Sequence, residues 1–166
     1  MNQYDEKYNQ EEYYWGIKPS PMCLKVLELF PPDKYTRLLD IGCGEGRNAV
    51  FFARNGYQVT AFDLSKKGVE KTQKLAEKIG VSLKVFQVNI NDYRLSENYD
   101  ILFSSGTLHY VPSSQREEIF DNYKKHTSQN GIHVFSVFVK KPFIIKAPDS
   151  ESNAHKWISG VINLLP

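Results

Sequence analysis

An apolar run that breaks into alternating glycines, Leu38-Leu39-Asp40-Ile41-Gly42-Cys43-Gly44-Glu45-Gly46-Arg47-Asn48-Ala49, constrains this chain more than any other stretch. It reads as a strand, a tight turn and the start of a helix. Glycine lets a turn enter left-handed backbone and lets a ligand approach the main chain closely. A turn that feeds a helix also aims backbone N–H groups and the positive helix end at whatever binds there. The acid two residues before the first glycine gives the order acid-x-Gly-x-Gly-x-Gly.

The rest of the chain repeats the alternation of strand and helix. Segment 4–16 is aromatic-rich and irregular, ending in Tyr13-Tyr14-Trp15-Gly16. Met22, Val26, Leu29 and Phe30 recur at helical spacing, predicting a helix over 22–30 that Pro31-Pro32 stops. Strands are expected at 37–41, 58–62, 82–88, 100–104 and 132–139, with helices at 46–55, 65–79 and 114–126. Ser65 is placed to cap the second of these helices, and Ser114 with Glu117 has the spacing of a capping box. A short helical turn is expected at 91–95, and Asn130-Gly131 turns the chain into the last strand. Strands separated by helices predict an α/β fold, a doubly wound Rossmann-like sheet that is mostly parallel.

A length of 166 residues suits one domain, 1–166, with an arm at 1–21 and a tail at 140–166. The formal charge of +2 is too small to point to nucleic acid or an acidic membrane surface. Cys23 and Cys43 have no metal-ligand or CxxC spacing, so structural, reduced thiols are expected. The N-terminal residues are polar with no signal-peptide core, and no apolar run approaches the ~18 residues of a membrane span. These features predict a cytoplasmic protein.

A dinucleotide fingerprint, Gly-x-Gly-x-x-Gly, would need a third glycine where this chain has Arg47. That fit fails at the residue needed for close helix–strand packing. Asp63 ends the second strand, where an acid accepts hydrogen bonds from the ribose hydroxyls of a nucleoside. Alone it does not say which nucleoside. The loops after the third and fourth strands, Gln87-Val88-Asn89-Ile90-Asn91-Asp92 and Ser104-Ser105-Gly106-Thr107-Leu108-His109-Tyr110, fall at the edge where such sheets bind ligands.

The acid-first order resembles motif I of the class I S-adenosylmethionine-dependent methyltransferases. The resemblance implies that Gly42 and Gly44 admit the methionine part and that Asp40 lies near the ligand ammonium, directly or through water. The implied cofactor set also takes in Cys43, Gly46, Arg47, Asn48, Asp63 and Leu64. In that family an Asp after strand three accepts from the adenine amino group; here the position is Asn89, followed by the apolar Ile90, with Asp92 as a rival. Ser104 and Ser105 would border the methionine end, and His109 the acceptor.

Tyr14-Trp15-Gly16, the glycine block, Thr107-Leu108-His109-Tyr110, His133-Val134-Phe135-Ser136 and His155-Lys156-Trp157 narrow the likeness to the tellurite-resistance methyltransferases. In that group the N-terminal segment folds over the cofactor, which would make Tyr14 and Trp15 part of a lid. The implied activity is methyl transfer from S-adenosylmethionine to a small soft or anionic acceptor of tellurite, selenite or thiol type, with S-adenosylhomocysteine as product. His109 and His155 are the candidates to orient or deprotonate that acceptor.

Seven-stranded methyltransferases add an antiparallel hairpin after strand five, for which 140–166 is too short. Unless the tail folds back, the expected consequence is an exposed strand-five edge that pairs in a homodimer or aggregates. The shortened end also motivates a second reading, a non-catalytic cofactor-binding or interaction module. An NAD-dependent oxidoreductase and a nucleic-acid methyltransferase are the weaker alternatives.

Overall fold

The computed structural model describes residues 3–138 and 158–162. The elements run α1 (Gln3–Tyr8), α2 (Pro21–Leu29), β1 (Arg37–Ile41), α3 (Arg47–Arg54), β2 (Gln58–Asp63), α4 (Lys66–Ile79), β3 (Lys84–Gln87), β4 (Tyr99–Ser105), α5 (Ser113–Lys125), β5 (Thr127–Val137) and β6 (Ile158–Ile162). A single 3₁₀ turn, Leu108–Tyr110, leads from β4 toward α5. The sheet order is β3-β2-β1-β4-β5-β6. β1 pairs in parallel with β2 and β4, and the order reverses there, which makes β1/β4 the switch point where open α/β sheets bind ligands.

Alternation along each strand divides the core between the two faces. Leu38, Val59, Ala61, Ile101 and Phe103 pack under α2 and α3, where Phe52 is fully buried. Its ring meets Phe103 at 5.0 Å and Tyr57 at 5.2 Å, both edge-on. Such pairs contribute about 0.5–1.5 kcal/mol each beyond the area they bury. Leu39, Ile41, Phe62 and Leu102 point to the other face and pack with Ile119 and Tyr123 of α5. This two-sided burial is why the central strands read as nearly continuous apolar runs.

The predicted elements are found with shifted ends, and four differences have physical causes. Segment 4–16 is not wholly irregular, because α1 docks on α4: the Ser65 hydroxyl donates to Asp5 Oδ1 at 2.6 Å while its oxygen accepts from Gly68 N at 3.0 Å. The predicted capping box at Ser114 and Glu117 does not form. α5 starts one residue earlier, after Pro112, without a side-chain cap, so Ser114 is already inside the first turn. The helical turn expected at 91–95 comes earlier, where Asp92 N and Tyr93 N both donate to Asn89 O at 3.0 and 3.1 Å, and 93–95 are irregular. Asn130 and Gly131 lie within β5 as an irregularity: β4 advances from Tyr99 to Ile101 while its partners advance from Thr127 to Ile132, and Asn130 takes φ 65°.

β5 is not an exposed edge, because the tail folds back on it. β6 runs antiparallel along it, with Val134 opposite Val161 and Ser136 opposite Ser159. The backbone groups on which the homodimer expectation rested are therefore engaged within the chain. His155 and the rest of 139–157 lie outside the described residues.

Candidate cofactor site

At the carboxyl edge of β1, β2 and β4 the described residues enclose a cavity of about 380 Å³. Its walls come from the glycine turn, the end of β2, the loop after β3, the loop after β4 and the N-terminal arm. Each parallel strand thus delivers its following loop to one place.

The glycine turn is held by partners on all sides. Gly42 N and Cys43 N both donate to Phe62 O at 2.9 Å, Gly44 N donates to Asp63 Oδ2 at 2.8 Å, and Gly46 N to Cys43 O at 3.0 Å. These N–H groups are spent inside the protein, so they do not face a ligand as the sequence predicts. What the glycines permit is close approach of other parts of the chain. Gly42 has φ +72°, and a Cβ there would sit 2.1 Å from Thr107 Oγ1. Thr107 in turn donates to Gly42 O at 3.3 Å, tying the loop after β4 to the turn.

Asp40 lies beneath the turn and is not part of the cavity wall. α3 begins after Gly46, which has no side chain to cap it, and the buried Asp40 carboxyl stands near the Ala49 N–H of the first turn, which favours its charged form. A residue of β1 therefore serves as the acidic N-terminal partner of α3. Burial, reinforced by the charge of Asp63, pushes Asp40 up to about 7, while Arg47 and the Ala49 N–H oppose the rise. Its Oδ2 is buried with no partner, an acceptor left for a donor that the described residues do not supply.

Asp63 lines the cavity with both carboxylate oxygens anchored, Oδ2 to Gly44 N and Oδ1 to Ser65 N, each at 2.8 Å. Burial raises its pKa, and those N–H groups limit the rise. Each oxygen keeps accepting capacity for a ligand. Asn89 and Ile90 face the cavity as expected, although Asn89 Oδ1 already accepts from Asn91 N at 3.0 Å. Asp92 is not in the wall, whereas Asn91 is.

Other expected residues divide. Trp15, Cys43, Arg47, Asn48, Leu64 and Ser105 line the cavity. Tyr14, Gly46 and Ser104 stand behind it; the Ser104 hydroxyl donates to Ile41 O at 3.0 Å and joins β4 to β1. His109 is also behind the wall, its ring 4.1 Å from that of Tyr110 and 5.0 Å from that of Phe138, which do line it. Its Nδ1 is buried without a partner, and burial lowers its pKa, so the imidazole is neutral at pH 7.

The sequence reading missed Tyr4, Tyr8, Phe138 and above all Glu45. Tyr8 lies over the glycine turn and accepts a hydrogen bond from Trp15 Nε1 at 3.0 Å. The hydroxyls of Tyr4 and Tyr110 meet at 2.6 Å across the cavity mouth. The clustering of Tyr4, Tyr8, Tyr13, Tyr14 and Trp15 was the available signal, but its direction depended on how the arm docks. Asp63 together with the aromatic faces of Tyr4, Tyr8 and Trp15 makes surroundings favourable to a cationic ligand. Among the described residues no group of His, Cys, Asp or Glu is arranged to hold a metal ion.

Known proteins agree with this geometry. Residues 2–140 match the family described as tellurite resistance protein TehB. Over 131 residues the chain is 29% identical to a Haemophilus influenzae protein named a probable S-adenosyl-L-methionine-dependent methyltransferase TehB, covering 79% of this chain and 43% of that one. It is 29% identical over 110 residues to the ubiquinone biosynthesis O-methyltransferase of Rickettsia canadensis, covering 65% and 46% of the two chains. The crystal structure of TehB from Haemophilus influenzae superposes with a TM-score of 0.66 at 24% identity, over 80% of this chain and 43% of that one. Coclaurine N-methyltransferase bound to N-methylheliamine and SAH superposes with a TM-score of 0.62 at 18% identity, over 70% and 34%. The chain spans less than half the length of these relatives. The sequence match, the fold and the cavity at the switch point place this chain in the tellurite resistance protein TehB family.

Proposed function

We propose that this chain binds S-adenosylmethionine in the 380 Å³ cavity and transfers its methyl group to a small soft acceptor of tellurite, selenite or thiol type. The observation that carries this reading is the convergence of an acid-first glycine turn, Asp63 and the Asn89–Ile90 loop on one cavity at the switch point. When bound, S-adenosylmethionine supplies a methyl group already activated by its sulfonium.

The chain's own residues then have mainly to bind, orient and exclude water. Gly42 and Gly44 permit close approach, Asp63 accepts from ribose hydroxyls, and Asn89 with Ile90 brackets the adenine. The unpartnered Asp40 Oδ2 takes a donor from the amino-acid end through the turn, by way of water. Tyr4, Tyr110 and Phe138 close the acceptor side. His109, whose ring backs Tyr110 and Phe138 in the wall, is the candidate to orient the acceptor through them, and His155 is the second candidate. Two free, buried thiols suit a reducing compartment such as the cytoplasm, where we place the reaction.

Calorimetry with S-adenosylmethionine, S-adenosylhomocysteine and NAD tests the binding half. Labelled S-adenosylmethionine with tellurite, selenite and thiols, followed by detection of methylated products, tests the transfer. Binding of NAD in place of the adenosyl ligands removes the reading altogether; binding without turnover of any acceptor leaves a cofactor-binding module.

A further inference from the structure

Glu45 is the third variable residue of the glycine block, and neither sequence reasoning nor the proposed chemistry gives it a task. Its side chain is nonetheless 1% exposed, a costly place for a carboxylate. Three donors explain it. Tyr14 N donates to Oε1 at 3.1 Å, Trp15 N to Oε2 at 3.2 Å, and Lys71 Nζ to Oε1 at 2.9 Å. The two oxygens thus grip two consecutive amides of the arm, and the ammonium of α4 supplies the counter-charge.

The grip is shared by neighbours. Lys71 Nζ also donates to Glu12 O at 2.6 Å and stands 5.1 Å from the Tyr13 ring centre. Arg47 Nη1, next but one to Glu45, donates to Trp15 O at 3.1 Å. The segment so held presents Trp15 and Gly16 to the cavity, and Trp15 in turn holds the hydroxyl of Tyr8 over Gly44.

We infer that Glu45, with Lys71 as its counter-ion, is the positioning residue that latches the arm over the adenosyl ligand and so sets how long that ligand stays bound. The inference rests on the proposed function for the identity of the ligand. A latch acts on departure more than on arrival, because the ligand can leave only when the arm opens.

The test uses the full chain with S-adenosylhomocysteine as probe, in stopped-flow dissociation and in hydrogen exchange of the peptide carrying Tyr14 and Trp15. Glu45→Gln keeps the shape but loses the charge, and Lys71→Met removes the counter-ion without touching the cavity wall. Both variants are expected to speed dissociation by about ten- to a hundredfold, the loss of one or two charge-assisted hydrogen bonds. The Tyr14 and Trp15 amides exchange faster in both, with or without ligand, and the on-rate changes by less than about threefold. If Glu45→Gln fails to fold, Lys71→Met decides the matter alone. Unchanged dissociation in a folded variant overturns the latch while leaving the cofactor reading intact. Wild-type protein that does not bind S-adenosylhomocysteine overturns the cofactor reading itself.

Discussion

Asp63 Oδ2 accepts the backbone N–H of Gly44 at 2.8 Å, joining the end of β2 to the turn that follows β1. The second oxygen accepts from Ser65 N at the entry to α4, so one carboxylate fixes two loops. Asp63→Asn replaces one acceptor by an NH₂ group that faces a donor. The expected cost is about 1–3 kcal/mol in chemical denaturation. Under the proposed function the same variant loses affinity for S-adenosylhomocysteine, because the ribose-facing acceptor is displaced as well. Retained stability in Asp63→Asn contradicts the structural half of this statement.

Gly42 and Gly80 have similar backbone, φ +72° and φ +78°, and different surroundings. A Cβ on Gly80 meets nothing within 4 Å, whereas one on Gly42 runs into Thr107. Gly80→Ala is therefore expected to cost only the left-handed strain of about 1–2 kcal/mol. Gly42→Ala adds overpacking of about 1–3 kcal/mol and separates the loop after β4 from the turn. Parallel urea titrations of the two variants measure the difference, and equal losses would show that Thr107 yields freely.

Asp40 gives the protein a pH dependence of definite sign. Its pKa rises from an ordinary value near 4 in the unfolded chain to about 7 in the folded one. Between those values the native state holds a proton that the unfolded state has lost. The contribution of Asp40 is therefore to lower stability as pH rises through this window, with the loss complete above it. Asp40→Asn keeps the shape of the side chain and has no proton to lose. Its stability is expected to fall less than that of the wild type between pH 4.5 and 8, measured as denaturation midpoints across pH. A wild-type profile that the variant reproduces would place the charge of Asp40 elsewhere.

The pairing of β6 with β5 carries its own prediction. A variant ending at residue 157 lacks the antiparallel partner of the backbone from His133 to Val137. That leaves a five-stranded parallel sheet with an open edge next to Val134 and Phe135. Light scattering is expected to show concentration-dependent association of the shortened chain and not of the full one. If both stay monomeric while circular dichroism shows both folded, edge coverage by β6 is not what keeps the chain apart.

By itself the sequence determined the alternation of helices and strands from α2 to β5, the place of the glycine turn and the acid at the end of β2. Those features are local: apolar periodicity, glycine and proline punctuation, and an acid at a strand end express themselves within a few residues. With right-handed crossovers required, a doubly wound sheet is the simplest arrangement of the five parallel strands, and β6 lies outside that reading. Tertiary structure alone decided what the acids do. Asp40 and Asp63 belong to neighbouring strands, yet one is buried below the turn while the other faces the cavity, because Asp40 pairs with Ala61 inside the sheet and Asp63 lies one residue past Phe62, the partner of the last β1 residue. Glu45 looked like a filler between glycines, and its partners lie 30 and 31 positions back along the chain and 26 positions ahead. No periodicity reaches that far. Only the docking of the arm on α4 brings two amides and an ammonium to one carboxylate, and burial makes that meeting obligatory.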